Sequence, residues 1–402
     1  MSKNIWIFNH HAQGSEIPGG TRHYDLAKQL VSYGHSVTIF AAGFHYTLLK
    51  ETVEYDQDGK KIEDKDGVKF VWVKTYPYER NNIKRMVNIL SYAWKLNFLI
   101  PKLGLDKPDI IIGSTVHPFA SLVASKFAKK YKVPFVFEIR DLWPQTFIDM
   151  DLWAKDSIKS KVFKYIEKIT VNRSHRVIVL SPLTIEYLAK EYNYDKDNIL
   201  LLPNGINDNF IIPINQEYDN KINITYLGGI DKVHGLEFLI DLAFSLKNEN
   251  IDFNIYGDGK ERKNLESMTN EKKLTNIHFK GSVAKIEVPE TLSKANLLFV
   301  STSNVLYGSE NKLYEYMATG KPIIVATTGE HNNPIRDIDC GVALDRANIE
   351  KASIDLINFI ENNKNDFENI GKNGQNYVKE NRRMSILGKK LETLCKEVVQ
   401  NA

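Results

Sequence analysis

The sequence predicts an α/β protein built from two doubly wound, parallel-sheet domains, and three observations predict it. Short, continuous apolar runs alternate with amphipathic, helix-like runs along the chain. This alternation stops at 201–220, where Pro, Gly and Asn break the periodicity, and it begins again near Asn223. Apolar strands that alternate with helices are typical of parallel sheets covered on both faces. We therefore predict domains over 1–205 and 206–380, followed by a closing segment, 381–402.

The first domain opens with an apolar run over 4–9 that predicts a strand, and a glycine-bearing loop follows it. Residues 21–33 predict a helix, because Tyr24, Ala27 and Leu30 recur at helical spacing and Gly34 ends the pattern. The later strand-like runs of this domain cover 36–42, 68–74, 109–115, 135–139 and 176–181.

The second domain repeats the same alternation. Its last strand, 321–326, follows a charged loop and a short helix that ends at a Gly-Lys-Pro stop. An amphipathic run over 384–399 predicts a final helix, which we expect to pack back on the first domain. The other strand-like runs cover 224–230, 253–259, 277–282 and 296–302.

Polar or glycine-bearing clusters follow several of these strands. In open α/β sheets, ligands bind beyond the carboxyl ends of the strands. We therefore expect two sheets that face each other across a cleft, which would bring the clusters of both domains around one ligand. The clusters cover 15–21, 114–118, 138–143, 228–235, 257–259 and 308–315.

The clusters of the first domain contain candidate phosphate-binding and catalytic residues. Gly19 and Gly20 lie between a strand and a helix, where backbone N–H groups can approach a phosphate. His117 ends a strand and can bind a substrate hydroxyl. Glu138 and Asp141 follow an apolar strand, so they either face the cleft or pair within the loop. The plain alternatives are an ordinary turn, a surface histidine and a salt-bridged loop.

The clusters of the second domain are suited to a nucleotide. Gly229 and Lys232 lie in a glycine-lined loop with a cation, which fits a diphosphate, and Gly257 permits a second turn. Lys312 and Glu315 begin a helix, where anions bind, and a carboxylate there can accept both hydroxyls of a ribose. The alternative is an exposed Lys–Glu pair with little energetic weight.

The charge is divided unevenly along the chain. The 402 residues carry a net charge of +3, made up of +7 over 1–205, from 29 Lys+Arg and 22 Asp+Glu, and −4 over the rest, from 24 and 28. Such asymmetry is consistent with a first half that meets an anionic surface or with random scatter. The segment 83–103 mixes basic and aromatic side chains, so it predicts either a helix lying on the inner membrane surface or one that only covers the first sheet.

Cysteine content excludes some classes of protein. Cys340 and Cys395 are too few and too far apart for a disulfide framework or a zinc site. No apolar run reaches the length of a transmembrane helix. We expect a cytoplasmic protein that is soluble or peripheral on the membrane.

Together, the motifs resemble the family 4 retaining glycosyltransferases of the GT-B fold. The resemblance covers nearly the whole chain and is nearest to the bacterial branch that builds O-antigens and capsules. That branch includes transferases of N-acetylated sugars such as N-acetylfucosamine. The motifs, in order, are IPGGTRHYDLAKQL, VHPFAS, FEIRDLWPQT, LPNGI, YGDG, FKGSV and KLYEYMATGKPI.

The resemblance implies a UDP-sugar donor and a role for particular residues. The glycine-rich loop at Gly19 and Gly20 would lie near the donor diphosphate, and His117 near the transferred sugar. Glu315 would bind the ribose, with Lys312 and Leu313 beside it. Gly257, Ser282 and Val283 would border the base.

This chain departs from the family pattern at three positions. Tyr307 stands where the first glutamate of a paired-glutamate motif is expected. Gly229 and His234 stand where an arginine and a lysine of the phosphate loop are expected, which leaves Lys232 and Lys312 as the nearby cations.

The resemblance also implies a mechanism with no metal or other cofactor. The leaving phosphate would deprotonate the acceptor, a polyprenyl-diphosphate-linked or free saccharide, while Glu138 and Asp141 would contact that acceptor. A GT-B sugar-nucleotide epimerase and a noncatalytic nucleotide-sugar-binding subunit remain alternatives. No Gly-x-Gly-x-x-Gly opens the chain, so a Rossmann oxidoreductase is disfavoured, and no nucleic-acid partner is expected.

Overall fold

The computed structural model describes residues 2–16, 20–80, 83–212, 221–284, 287–301, 307–309, 311–327 and 335–401. The chain divides into two compact units. The first unit comprises Met1–Pro203, Leu306–Ser309 and Met384–Ala402. The second unit comprises Asn204–Val305 and Glu310–Arg383.

The described residues contain sixteen strands and fourteen α-helices. The strands are β1 Asn4–Phe8, β2 Ser36–Ala42, β3 Phe44–His45, β4 Lys50–Glu51, β5 Lys60–Lys65, β6 Val68–Val73, β7 Ile110–Thr115, β8 Phe135–Ile139, β9 Arg176–Val179, β10 Ile199–Leu201, β11 Ile222–Leu227, β12 Ile251–Tyr256, β13 Ile277–Gly281, β14 Leu297–Ser301, β15 Ile323–Thr327 and β16 Gly341–Asp345. The helices are α1 Arg22–Ser32, α2 Ile83–Leu99, α3 Pro118–Tyr131, α4 Gln145–Asp149, α5 Ile158–Arg173, α6 Pro182–Tyr192, α7 Glu237–Ser245, α8 Arg262–Glu271, α9 Val288–Ser293, α10 Asn311–Ala318, α11 Ile335–Ile338, α12 Ile349–Asn363, α13 Phe367–Asn381 and α14 Met384–Gln400.

The first unit is built on an eight-stranded sheet in the order β10-β9-β8-β7-β1-β2-β6-β5. Every pair in it is parallel except β5 with β6. Side chains alternate between its faces, so that Ile5 and Ile7 join a core with α1 and α14, whereas Trp6 and Phe8 join a core with α2 and α3. Helices therefore cover both faces, as the apolar strands predict.

The last helix completes the core of the first unit. Leu387, Leu391 and Cys395 of α14 are buried against α1 and the sheet. The two helices pack so closely that a Cβ added at Gly388 would lie 2.3 Å from Cβ of Gln29. Helix α14 thus belongs to the first unit, although it follows the second unit in sequence.

The second unit contains a six-stranded parallel sheet in the order β13-β12-β11-β14-β15-β16. Its helices also cover both faces, with Leu239 of α7 in one buried cluster and Met317 of α10 in the other. The predicted class, two Rossmann-like α/β units, is confirmed. No helix among the described residues is both long and apolar enough to cross a bilayer.

Candidate active site

Two histidines meet at the carboxyl edge of the first sheet. His117 follows β7 and caps α3, where its Nδ1 accepts the N–H of Ala120 at 3.4 Å. The Nε2 of His117 lies 2.7 Å from Nδ1 of His10, which follows β1. Because Nδ1 of His117 accepts, its Nε2 carries the hydrogen and donates to His10. His10 then carries its own hydrogen on Nε2, which is buried without a hydrogen-bond partner among the described residues.

The surroundings keep these histidines neutral. The His10 ring stacks on the Tyr92 ring at a centroid distance of 4.4 Å and an angle of 7°, and the His11 ring centroid is also 4.4 Å from that of His10. Burial lowers the pKa of His10 and of His117 well below the usual value, and it lowers the pKa of His11 to about 3. The group therefore presents an N–H donor rather than a positive charge at neutral pH.

Glu138 is buried within the first unit and not at its surface. Its Oε1 accepts from Nε of Arg22 at 3.0 Å, and its Oε2 accepts from Nε2 of His23 at 2.5 Å. Burial alone would raise the pKa of Glu138, but the adjoining His23 and Arg22 outweigh it and hold the pKa well below its usual range. The pairing alternative thus describes Glu138 better than direct contact with an acceptor.

Arg22 ties three segments of the first unit together. Besides Glu138, its guanidinium donates to the carbonyls of Leu202 and Pro203, both at 2.7 Å. Arg22 begins α1, immediately after the glycine-bearing loop. Arg22 therefore fixes the start of α1 against β8 and against residues 202–203.

The other first-unit candidates that the structure describes, Asp141 and Gly20, are more exposed than Glu138. Asp141 is exposed, and its N–H and carbonyl both contact Oγ1 of Thr115, at 3.4 and 3.3 Å. Gly20 lies before α1 with open space where a Cβ would project, which leaves room for a ligand. Gly19 lies outside the described residues. Among the described residues, no three His, Cys, Asp or Glu side chains gather as metal ligands would.

In the second unit, Lys312 lies against the glycine loop that follows β11. Its Nζ donates to Oη of Tyr226 at 2.8 Å and lies 3.4 Å from both ring nitrogens of His234. A Cβ at Gly228 would lie 2.5 Å from Nζ of Lys312, and one at Gly257 would lie 1.8 Å from the Gly228 carbonyl oxygen. Only glycine fits at Gly257, because its φ is positive and the neighbouring atom is backbone, whereas a side chain at Gly228 would displace the end of Lys312.

The charge of this site comes from the lysine. Burial, reinforced by the Lys312 charge, lowers the pKa of His234 to about 4, so His234 is neutral at pH 7. Gly229 lies beside this pair, with its Cβ position 3.7 Å from Nε2 of His234. Lys232 is exposed on the same loop. The structure thus brings together Gly229, Gly257 and Lys312 and leaves Lys232 at the rim.

The remaining donor-binding candidates differ in how deeply they are buried. Leu313 is 1% exposed and belongs to the core, so it can offer a ligand only its backbone. Glu315 is half-buried on α10. Ser282 is exposed and Val283 half-buried, directly after Gly281, whose carbonyl accepts the N–H of Gly257 at 2.7 Å.

Tyr307 belongs to the first unit and not to the donor loops. Its carbonyl accepts from Oγ1 of Thr184 at 3.2 Å, and its ring lies 5.7 Å from that of Tyr187. Burial, with Asp149 beside the hydroxyl, raises the pKa of Tyr307 to about 12. The residue that departs from the glutamate motif is therefore anchored on α6.

Two family profiles together match residues 19–377. "Glycosyltransferase Family 4" matches residues 19–210, and "Glycosyl transferases group 1" matches residues 207–377. Both profiles describe glycosyltransferases, and the chain belongs to this class of enzyme. This glycosyltransferase is 25% identical over 270 residues to the putative colanic acid biosynthesis glycosyl transferase WcaI of Escherichia coli, across 63% of this chain and 66% of that protein. It is 24% identical over 364 residues to mannosylfructose-phosphate synthase of Agrobacterium fabrum, across 82% and 76%.

Solved structures show the same fold. Sucrose-phosphate synthase from Thermosynechococcus elongatus superposes on the glycosyltransferase with a TM-score of 0.76 at 15% identity, across 100% of both chains. Anabaena HepE in complex with UDP and glucose has a TM-score of 0.67 at 16% identity, across 98% of this chain and 100% of HepE. The GT-B fold is thereby confirmed. The match to WcaI, in contrast, spans slightly less than two thirds of that relative.

Sequence reasoning missed several residues of the site. His10, Arg22 and Tyr226 were not among the candidates, although each lies at a strand end or a helix start next to one of them. His10 had a visible signal, since it directly follows the first strand, but an isolated histidine is more often structural. No sequence signal links Arg22 to Glu138, because their pairing depends on the fold.

Proposed function

We propose that this glycosyltransferase moves a sugar from a UDP-activated donor, with retention at the anomeric carbon, to a lipid-linked or saccharide acceptor in bacterial surface polysaccharide synthesis. One observation carries the donor part of the proposal: Lys312 lies against the glycine-bearing loop at the carboxyl edge of a parallel sheet. The UDP bound to HepE supports the choice of nucleotide, and the colanic acid assignment of WcaI supports the pathway class. The N-acetylated hexosamine or deoxyhexosamine remains the proposed sugar.

The chemistry follows from charge development on the donor. As the sugar leaves, negative charge grows on the diphosphate, and Lys312, the glycine amides and the start of α10 stabilise it. The leaving phosphate takes the acceptor proton, so the proposal includes no protein nucleophile and no metal ion. His117 would lie near the transferred sugar, with its ring held by the hydrogen bond to Nδ1 of His10.

A second part of the proposal concerns the acceptor and the membrane. Helix α2, within the predicted membrane segment 83–103, leaves Ile83 81%, Trp94 64% and Phe98 56% exposed. These side chains and the absence of acidic residues from α2 support contact with the cytoplasmic face of an anionic membrane. Replacing Trp94 and Phe98 by serine should reduce vesicle binding.

A donor panel tests the proposal directly. The full chain would be incubated with UDP-, GDP- and dTDP-sugars and a lipid-linked acceptor, in the presence and absence of EDTA, and the products identified by mass spectrometry. We expect transfer from a UDP-sugar that EDTA does not affect. Lys312→Met should weaken UDP binding about tenfold or more, because a charge-assisted contact contributes roughly 1.5–3 kcal/mol. Tight UDP binding without turnover of any donor would instead indicate a nucleotide-sugar-binding subunit.

A further inference from the structure

A cavity at the amino edge of the first sheet lies apart from the transfer chemistry. It measures about 610 Å³, and its lining includes residues 107–109 just before β7, 132–135 at the start of β8, and 173 and 175 just before β9. Ligands of open α/β sheets bind beyond the carboxyl ends of the strands, so this cavity lies at the opposite end of the sheet. Its volume is that of a site for a small molecule.

The charged side chains that line this cavity are mostly basic. Four are positive at neutral pH, and none of the four has an ion-pair partner in the described part of the chain: Lys107, Lys129, Lys132 and Arg173. The acidic side chain in the lining is Asp109, whose Oδ2 accepts the N–H of Asn4 at 2.7 Å. The lining therefore carries a surplus of positive charge.

Two helix ends reduce this surplus without cancelling it. Helices α3 and α5 end beside the cavity, at Tyr131 and Arg173, and a helix C-terminus carries roughly half a negative charge. The two ends and Asp109 together offset about two of the four positive charges. The remaining surplus of about two matches a phosphate monoester, which carries roughly −1.5 to −2 charges at pH 7.

Hydrogen bonds hold two of the segments that carry these cations. Nδ2 of Asn4 donates to the carbonyls of Asp106 and Lys107, both at 3.0 Å, and so fixes the loop before β7. Nη1 of Arg173 donates to Oγ of the buried Ser125 at 3.3 Å, which holds the end of α5 against α3. A frame that is already ordered lowers the entropic cost of binding a ligand.

The rest of the lining combines donors with an apolar wall. Lys132 caps α3 at a φ of +54°, a left-handed conformation at which glycine is the usual residue. Nδ1 of His175 accepts the N–H of Phe135 at 3.2 Å, so Nε2 of His175 bears the hydrogen and can donate. Val133 and Val399 also line the cavity. Cations and an N–H donor beside apolar side chains suit an organic phosphate.

We propose that this cavity binds a small organic phosphate monoester, at the opposite edge of the first sheet from the transfer chemistry. The phosphate group lies among the four cations, and the organic part lies against Val133 and Val399. The ligand joins the segments before β7, β8 and β9 to α14, so its binding stabilises the first unit by mass action. This site is independent of the donor loops in the second unit and goes beyond the proposed transfer.

Direct binding tests this inference without relying on turnover. The full chain would be titrated calorimetrically with glucose 6-phosphate, with AMP and with uncharged glucose. The salt concentration would be about 0.15 M, at which exposed charges more than about 8 Å apart are largely screened. We expect at least one of the two phosphate monoesters to bind and glucose not to bind. Failure of both monoesters to bind the wild type would overturn the inference.

A pair of double variants tests the role of the cavity cations. Lys129→Ala combined with Lys132→Gly suits the backbone at both positions, a helix and a left-handed cap, so folding should be retained. It should weaken binding of the monoester about tenfold or more. Lys126→Ala combined with Lys130→Ala removes the same charge from α3 outside the cavity lining and should leave binding within about twofold. Equal losses in both double variants would overturn the inference, because general electrostatic attraction would then explain the binding.

Hydrogen exchange locates the bound monoester. It should protect amides within 129–135 and 173–176, and Lys312→Met should weaken UDP binding without changing monoester binding. Protection confined to 228–235 and 311–315 would overturn the inference, because the probe would then occupy the donor loops. The inference would also be wrong if the Lys129 and Lys132 double variant lost only its binding to phosphatidylglycerol vesicles, since these lysines would then be a membrane contact.

Discussion

At the scale of single residues, hydrogen-bond direction shows how His117 and His10 depend on each other. Both ring nitrogens of His117 are occupied, by Ala120 and by His10. The N–H of this pair that has no partner among the described residues is therefore on Nε2 of His10, which is buried. The resemblance assigns the sugar contact to His117, and the structure adds His10 as the residue that holds the His117 ring.

His10→Phe tests this arrangement. The ring should stay against Tyr92 while both nitrogens are lost, so folding should be retained and kcat/KM should fall about threefold to tenfold, the loss of one neutral hydrogen bond. UDP affinity, measured by calorimetry, should be unchanged because Lys312 lies in the second unit. An equal fall in UDP affinity would show that His10 acts otherwise.

The buried pair of Arg22 and Glu138 leads to a stability prediction. Arg22→Met removes the guanidinium and leaves the Glu138 carboxylate buried beside a neutral His23, which should lower the free energy of unfolding by about 3–5 kcal/mol. Urea unfolding monitored by circular dichroism would measure it. Combining Arg22→Met with Glu138→Gln should recover part of the loss, since no buried charge then remains. A double variant less stable than the sum of the single ones would argue against the pairing.

At the scale of elements, α14 is a structural part of a unit that is distant in sequence. Leu387→Ala should lower the stability of the first unit by about 2–5 kcal/mol, because its fully buried side chain packs in the core with α1. Ile354→Ala, on an exposed face of the second unit, should change stability by less than about 0.5 kcal/mol and serves as the control. Thermal unfolding of both variants provides the comparison.

The elements differ in how well the sequence predicts them. Strand β8 was predicted over its observed residues, 135–139, because it is a continuous apolar run in the middle of a parallel sheet. Strand β5, KKIEDK, was missed because it is an edge strand that pairs only with β6 and carries mostly charged side chains. Strand β16, GVALD, was missed because it is a partly buried edge strand that begins with glycine and ends with aspartate.

The sequence predicts which loops carry the site residues, but it does not predict which side chains pair with them. Strand-end glycines and charges located Gly229, Gly257 and Lys312 correctly within one cluster of the second unit. The sequence did not reveal that Glu138 forms an ion pair with Arg22, because the two are 116 positions apart and only the fold brings them together. Tyr307 is similar, since its anchor on Thr184 is a tertiary contact.

At the scale of the whole molecule, buried neutral histidines make stability depend on pH. Burial lowers the pKa of five histidines in the first unit and of His234 in the second; the five are His10, His11, His23, His35 and His117. The unfolded chain takes up protons near pH 6.5. Stability from these groups is therefore present above about pH 6.5 and lost as the pH falls below it.

We expect the first unit to lose more stability than the second between pH 7 and pH 5. Five such histidines lie in the first unit and one in the second, and each contributes up to about 1.4 kcal/mol per pH unit below its unfolded pKa. Urea unfolding at pH 7, 6 and 5, followed by hydrogen exchange resolved along the chain, would measure this. A first unit whose stability is constant over this range would contradict the neutral assignment.

The placement of α14 has a consequence for biosynthesis. During translation, residues 1–203 emerge first, yet the core that they form with Leu387 and Leu391 stays open until α14 leaves the ribosome. The second unit is already complete at Arg383. We predict that a chain truncated after Arg383 and released from the ribosome is cleaved by protease within 1–203 and protected within 221–284 and 335–383, so that the unit synthesised first is the last to finish folding.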